Sequence, residues 1–312
     1  MMKTSLKVAL SAAAAASLLI AGGAAHASKE IATPGVQNQI NKVVASVKGL
    51  GKPTFGGGGG NGISYHNGPV MVSGITVYPI WYGNISASTK SVISGFLANV
   101  GGSPYFNINT TYYNASNQKV QNTATSLKLS TSSYSDTSYA LGTNLSDANI
   151  QSLVATAING GSVPNDVNGF YLVITAPDVS ESSGFLTQYC GWHTYSTIGN
   201  TPIKYSFVGD PTAGMTACAS KLNYTSSPNG NPAADAMVSV VAHELEEAAT
   251  DPQISAWYDG SRAENADKCA WKFGTTKTAT NGSSYNVVVG TNQYLIQQNW
   301  VNASGGYCAL SY

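Results

Sequence analysis

The sequence predicts an α+β fold, a mixed sheet packed against helices, and three observations point to it. Strand-like and helix-like segments are intermixed without regular alternation, which does not suit a doubly wound sheet. Gly169 to Ala176 (G-F-Y-L-V-I-T-A) is a continuous apolar run, as expected of a strand covered on both faces. Asp235 to Asp251 carries Met237, Val238, Val241 and Leu245 at helical spacing with no Pro or Gly inside, which predicts a helix over about 235–250.

Taken in order, residues 1–27 read as an export signal. Lys3 and Lys7 precede an apolar run from Val8 to Ala21, and Ala25-His26-Ala27 supplies an A-x-A cleavage site. Residues 28–62 contain five consecutive glycines, Gly56 to Gly60, and are expected to be a linker or a removable pro-segment. A single domain is expected over 63–312. Val70 to Tyr82 is rich in β-branched and aromatic residues and predicts a strand, or a pair of strands, kinked at Gly74. Ser88 to Val100 predicts a helix burying Val92, Ile93, Phe96 and Val100, ended by Gly101-Gly102. Asn107 to Leu129, rich in Tyr and Thr and punctuated by turn residues, predicts a hairpin. Ser146-Asp147 caps a second helix running through Ile158, and Gly160-Gly161 stops it. Further strands are expected at Ile203–Val208, Tyr285–Val289 and Tyr294–Trp300.

Composition excludes several partners. Only 10% of residues are charged. Setting Lys3 and Lys7 aside, the 15 basic residues fall to 13 against 15 acids, a formal charge of −2. No basic run appears, so neither nucleic acid nor an anionic membrane surface is an expected partner. The four cysteines, Cys190, Cys218, Cys269 and Cys308, are an even number in an exported chain and imply two disulfides. Of three pairings, the two local ones, Cys190–Cys218 and Cys269–Cys308, are favoured. No C-x-x-C spacing suggests a thiolate metal site.

The chemistry concentrates in the helix at H-E-L-E-E. His243 and Glu247 are four apart and leave the same face one turn from each other; Glu244 lies about 100° around. This is the arrangement of a zincin helix with Glu in place of the second His. Zinc takes three protein ligands in a catalytic site and keeps a fourth position for water. His243 and Glu247 would supply two, and Glu264 or Asp267 the third. Glu244 would act as general base on the metal-bound water as it attacks a carbonyl, with His193 or a nearby Tyr stabilising the oxyanion. Calcium is the rival ion, because Glu247, Asp251, Glu264 and Asp267 offer hard oxygens, but a His ligand favours zinc. The competing reading makes Glu244, Glu246 and Glu247 a solvated face.

Other residues are weaker candidates. His66 reads as a surface or packing histidine. Glu181 and Asp178 follow the central strand without distinguishing spacing. The tryptophans at 81, 192, 257, 271 and 300 invite a glycan-binding surface, although at least three should be core. Trp257-Tyr258 is the pair expected to line a cleft.

Several motifs occur together in order: Y-H-N-G-P-V-M from Tyr65, I-W-Y-G from Ile80, Y-C-G-W-H from Tyr189, V-S-V-V-A-H-E-L-E-E from Val238, A-W-Y from Ala256 and E-N-A-D-K-C from Glu264. In these the chain resembles the plant phosphate-induced/EXORDIUM-like family over roughly residues 65–312. The resemblance implies a secreted, extracellular or cell-wall protein, and in plants an association with growth; it implies no settled reaction. The Ala-rich leader suits a bacterial member equally. Leu186, and a position near Met215, stand where the family carries further cysteines. Their joint absence fits loss of one bridge and retention of Cys190–Cys218. Two functions follow as expectations. The first is a secreted zinc metallopeptidase-like hydrolase. The second is a non-catalytic extracellular protein binding a peptide or cell-wall glycan, its metal site structural.

Overall fold

The computed structural model describes residues 62–312, so the expected export signal and nearly all of the linker lie outside the described residues. The described chain is a mixed α/β fold. Its centre is a sheet of β2 (Ile75–Tyr82), β3 (Leu127–Leu129), β4 (Tyr134–Asp136), β6 (Gly169–Thr175), β8 (Gly191–Ile198) and β9 (Thr201–Val208), with β1 (Ser64–Tyr65), β5 (Asn144–Leu145) and β7 (Ser180–Glu181) outside it. The strand order is β3-β2-β6-β9-β8, with β4 also pairing to β2. All pairings are parallel except the antiparallel β8–β9 edge.

The apolar run at 169–176 behaves as its composition requires. Every residue of β6 is buried, and its side chains alternate between two cores. Phe170, Leu172 and Ile174 enter one core, with α1 (Ala87–Leu97) and the long helix. Tyr171 and Val173 enter the other, with α2 (Asp147–Asn159). Ser86 caps α1, and Ser146 caps α2 through a capping box with Asn149. After β9 come a short helix, α3 (Met215–Cys218), and then α4 (Pro232–Thr250). The Asn231 side chain caps α4 by accepting from Ala234 N, and Pro232 occupies the first turn, where its missing N–H costs nothing.

Downstream, β10 (Trp257–Tyr258) pairs with β1, and three small hairpins finish the chain. These are β11 (Lys277–Thr278) with β12 (Ser284–Tyr285), β13 (Val287–Val289) with β14 (Asn292–Tyr294), and β15 (Asn299–Val301) with β16 (Tyr307–Ala309). Both local disulfides are present, Cys190–Cys218 and Cys269–Cys308, with Cα separations of 5.5 and 5.6 Å. Among the described residues no helix is long and apolar enough to cross a membrane.

Five sequence-based readings need correction, one of them the competing reading of the acidic stretch. The segment 107–129 is not a hairpin: Phe106–Thr111 is a 3-10 helix, and Leu127–Leu129 pairs in parallel with β2, a long-range partner that local turn signals do not reveal. The strand expected at 294–300 splits between two hairpins, and β2 begins only after Gly74, whose φ of +95° breaks the extended run. The acidic stretch of α4 is not a solvated face, since Glu244, Glu246 and Glu247 are all fully buried. Trp257 lines no cleft; it is sealed among the rings of Tyr65, Tyr112 and Tyr113, and Trp81 and Trp192 are likewise core.

Candidate metal centre

Three parts of the chain deliver polar side chains to one buried place. The first is α4, which crosses the sheet on the β8–β9 side. The second is β8, where strand alternation sends Trp192 into one core against Tyr205 and Phe207, and so turns His193 the other way, towards α4. Gly191 permits this close seat: a Cβ there would stand 2.6 Å from Val240 Cγ1 and 3.2 Å from Glu244 Oε1. The third is the loop holding Glu264 and Asp267, fixed by the 3-10 helix Asp267–Cys269 and its disulfide to Cys308 in β16.

Two groups of metal-ligating atoms result. In one, His243 Nε2 lies 2.8 Å from Glu247 Oε1 and 3.4 Å from Asp267 Oδ1. In the other, His193 Nδ1 lies 3.4 Å from Glu244 Oε2 and 3.5 Å from Glu247 Oε2. Both triads could hold an ion, and Glu247 belongs to both. Metal–ligand bonds of about 2.0–2.2 Å in a tetrahedral centre place ligand atoms about 3.3–3.6 Å apart, and three of these four contacts fall there. Glu264 sits differently, with Oε1 3.7 Å from His193 Nε2, and its backbone N–H donates to Asp267 Oδ2. The six candidate residues named from sequence thus converge, with Asp267 on the His243 side and Glu264 on the His193 side.

The electrostatics are those of a cation site. Burial alone would push the imidazoles down, but Glu244 and Glu247 hold His193 up at about 10, and Glu247 and Asp267 hold His243 well above its ordinary value. Burial pushes the Glu244 carboxyl up to about 8 against the pull of His193.

Neighbouring acids have other work. Glu246 Oε2 accepts from both Asn109 Nδ2 and Asn299 Nδ2 at 2.5 Å, a clamp between the helix, the 3-10 helix Phe106–Thr111 and strand β15. Asp251, a calcium-ligand candidate from sequence, spends Oδ1 on Ser255 N and Ala256 N, which shapes the turn after α4. Glu181 binds Tyr189 and Ser183, and Asp178 accepts from Tyr139. Sequence reading did not find Gly191, Asn109 or Asn299. No local pattern marks them, because their roles exist only across separations of 53 to 137 residues.

The described domain coincides with a known conserved region. The model of the phosphate-induced protein 1 conserved region matches residues 63–310. The chain belongs to that family. It is 32% identical over 279 residues to Protein EXORDIUM-like 3 of Arabidopsis thaliana, covering 79% of this chain and 82% of the relative. It is 33% identical over 242 residues to Protein EXORDIUM-like 5 of the same plant, covering 68% and 65%. Protein PHOSPHATE-INDUCED 1 of Nicotiana tabacum is 25% identical over 224 residues, covering 64% and 67%. No solved structure matches the chain.

Proposed function

We propose that this family member is an extracellular divalent-cation-binding protein, its ion held in the core by His243, Glu247 and Asp267. The observation that carries the reading is the convergence of His243 Nε2, Glu247 Oε1 and Asp267 Oδ1 in a buried place, two of them one helical turn apart. Imidazole with two carboxylates suits zinc, and calcium is the rival. A divalent ion here offsets the cost of burying carboxylates, which is severe for unpaired charge. The two disulfides and the export-signal pattern support a location outside the cell, including the cell wall. The partner would be a surface peptide or wall glycan, met on the outside of the fold. The exposed stack of His66 on Tyr258, 3.7 Å between ring centroids and capped by Arg262 at 4.1 Å, is a surface of the right chemistry for a sugar face.

One observation favours a second reading, zinc-dependent hydrolysis of a peptide. Glu244 stands next to the His243 group without belonging to it, and a carboxyl titrating near neutrality suits a general base. That reading requires α4 and β8 to part, because Glu244, His243 and His193 are at most 1% exposed. The non-catalytic reading requires no opening and is preferred.

Elemental mass spectrometry of the native protein, beside His243→Ala and Glu247→Ala, tests the proposal. Zinc near one equivalent or more, lost in the variants, supports it; a metal-free native protein overturns it. Turnover of a peptide library by wild type but not by Glu244→Gln would move the conclusion to hydrolysis.

A further inference from the structure

We propose that the centre holds two divalent cations, the second on His193 Nδ1, Glu244 and Glu247, with Glu247 as a carboxylate bridge. The inference rests on the reading that the His243 group binds a cation, and extends it.

Four observations carry it. The two oxygens of Glu247 face different imidazoles: Oε1 lies 2.8 Å from His243 Nε2, and Oε2 lies 3.5 Å from His193 Nδ1. Glu247 Oε2 and Glu244 Oε1, on side chains with no exposed surface, take no hydrogen bond among the described residues. An oriented but unused buried carboxylate oxygen is costly unless something positive sits beside it. The ring of His193 also has the orientation of a metal ligand. While Nδ1 faces the two glutamates, Nε2 faces the Asp251 carbonyl at 3.4 Å and Glu264 Oε1 at 3.7 Å. A ligating imidazole ordinarily donates its other N–H to such a carbonyl or carboxylate, which fixes its tautomer.

The fourth observation is charge. Glu244, Glu247, Glu264 and Asp267 bring four negative charges to two imidazoles. With both imidazoles neutral, as ligation requires, the four carboxylate charges match two divalent ions. Nitrogen and carboxylate donors together suit first-row ions such as Zn²⁺ or Mn²⁺. In this arrangement Glu244 is a ligand, and its carboxylate is not available as a base.

The experiment uses the disulfide-intact chain loaded with Zn²⁺, cleared of loose metal and analysed by elemental mass spectrometry. Near two equivalents are expected, falling to near one in His193→Ala. One equivalent in the wild type overturns the second site and leaves the first standing; none overturns both. Two equivalents retained in His193→Ala also overturn it. The wild type loaded with Mn²⁺ tests the bridge without any substitution. An exchange-coupled electron paramagnetic resonance spectrum is expected, and a simple six-line signal from isolated ions contradicts bridging.

Discussion

Gly191 is seated against Glu244, so closely that a single added carbon would stand 3.2 Å from the carboxylate and 2.9 Å from Phe207 O. Strand β8 can bring His193 onto the helix only because this position has no side chain. Gly191→Ala should therefore destabilise the fold by about 1–3 kcal/mol, the usual cost of overpacking. It should also weaken metal retention at the His193 side. Chemical denaturation with and without added Zn²⁺ measures both. An unchanged midpoint and unchanged metal content would show that the seam is looser than it looks.

Glu246 and Glu247 are sequence neighbours with opposite duties. Glu246→Gln keeps an amide oxygen for Asn109 and Asn299, so it should bind metal as the wild type does, with a stability change within about 1 kcal/mol. Glu247→Gln should release bound metal. The pair, compared by metal content, separates a ligand from a structural acid on the same helix turn.

Metal removal should cost stability even if no reaction depends on it. A cation present at 100 times its dissociation constant stabilises the folded state by about 2.7 kcal/mol. Exhaustive chelation should lower the thermal midpoint by several degrees, and Zn²⁺ should restore it. Restoration by Ca²⁺ and not by Zn²⁺ would reassign the ion.

Lys204 gives a pH dependence unrelated to the metal. Burial pulls its ammonium down to about 8, although Asp166 opposes this, and Nζ donates to Val167 O. Above pH 8 the folded state has lost this proton while the unfolded chain keeps it up to about 10.5, so Lys204 by itself makes stability rise with pH in that window, whereas His193, held up at about 10, acts in the opposite sense wherever its imidazole is free to titrate. Buried tyrosines such as Tyr171, pushed up to about 12 by burial, act in the opposite sense above pH 10. Between pH 8 and about 9.5 the Lys204 contribution should be about 1–2 kcal/mol, seen as the difference in slope between the wild type and the Lys204 variant. Lys204→Met should flatten it, and thermal unfolding across that range reads the difference.

The Cys269–Cys308 bridge closes a loop with a sequence separation of 39. Replacing both cysteines by serine should cost about 4 kcal/mol by the loop-entropy argument. Denaturation at equal pH and metal concentration checks this.

What could be read in advance follows from the range of each interaction. The helix around His243 was legible because the apolar spacing and the absence of Pro or Gly inside it are local signals, and β6 because burial on both faces requires an unbroken apolar run. The parallel partner of β2 at 127–129 was not, since parallel pairing leaves no turn signature between the strands. Within the site, the i, i+4 pair on α4 was evident and Glu264 and Asp267 were both candidates, but which of them lies beside His243, and the clamp on Glu246, depend on segments folded back from elsewhere. Burial of the acids also escaped composition, which sees three glutamates in four residues and cannot see the layers placed over them.

The two disulfides lie close to the two ligand-bearing segments that are not helix: Cys190 three residues before His193, and Cys269 two residues after Asp267. Sheet pairing and core packing place β8 against the helix, and the two bridges add covalent ties at the edges of these two segments. On the proposed reading, the oxidised chain should hold Zn²⁺ more tightly than the reduced one, and metal content measured before and after thiol reduction checks it.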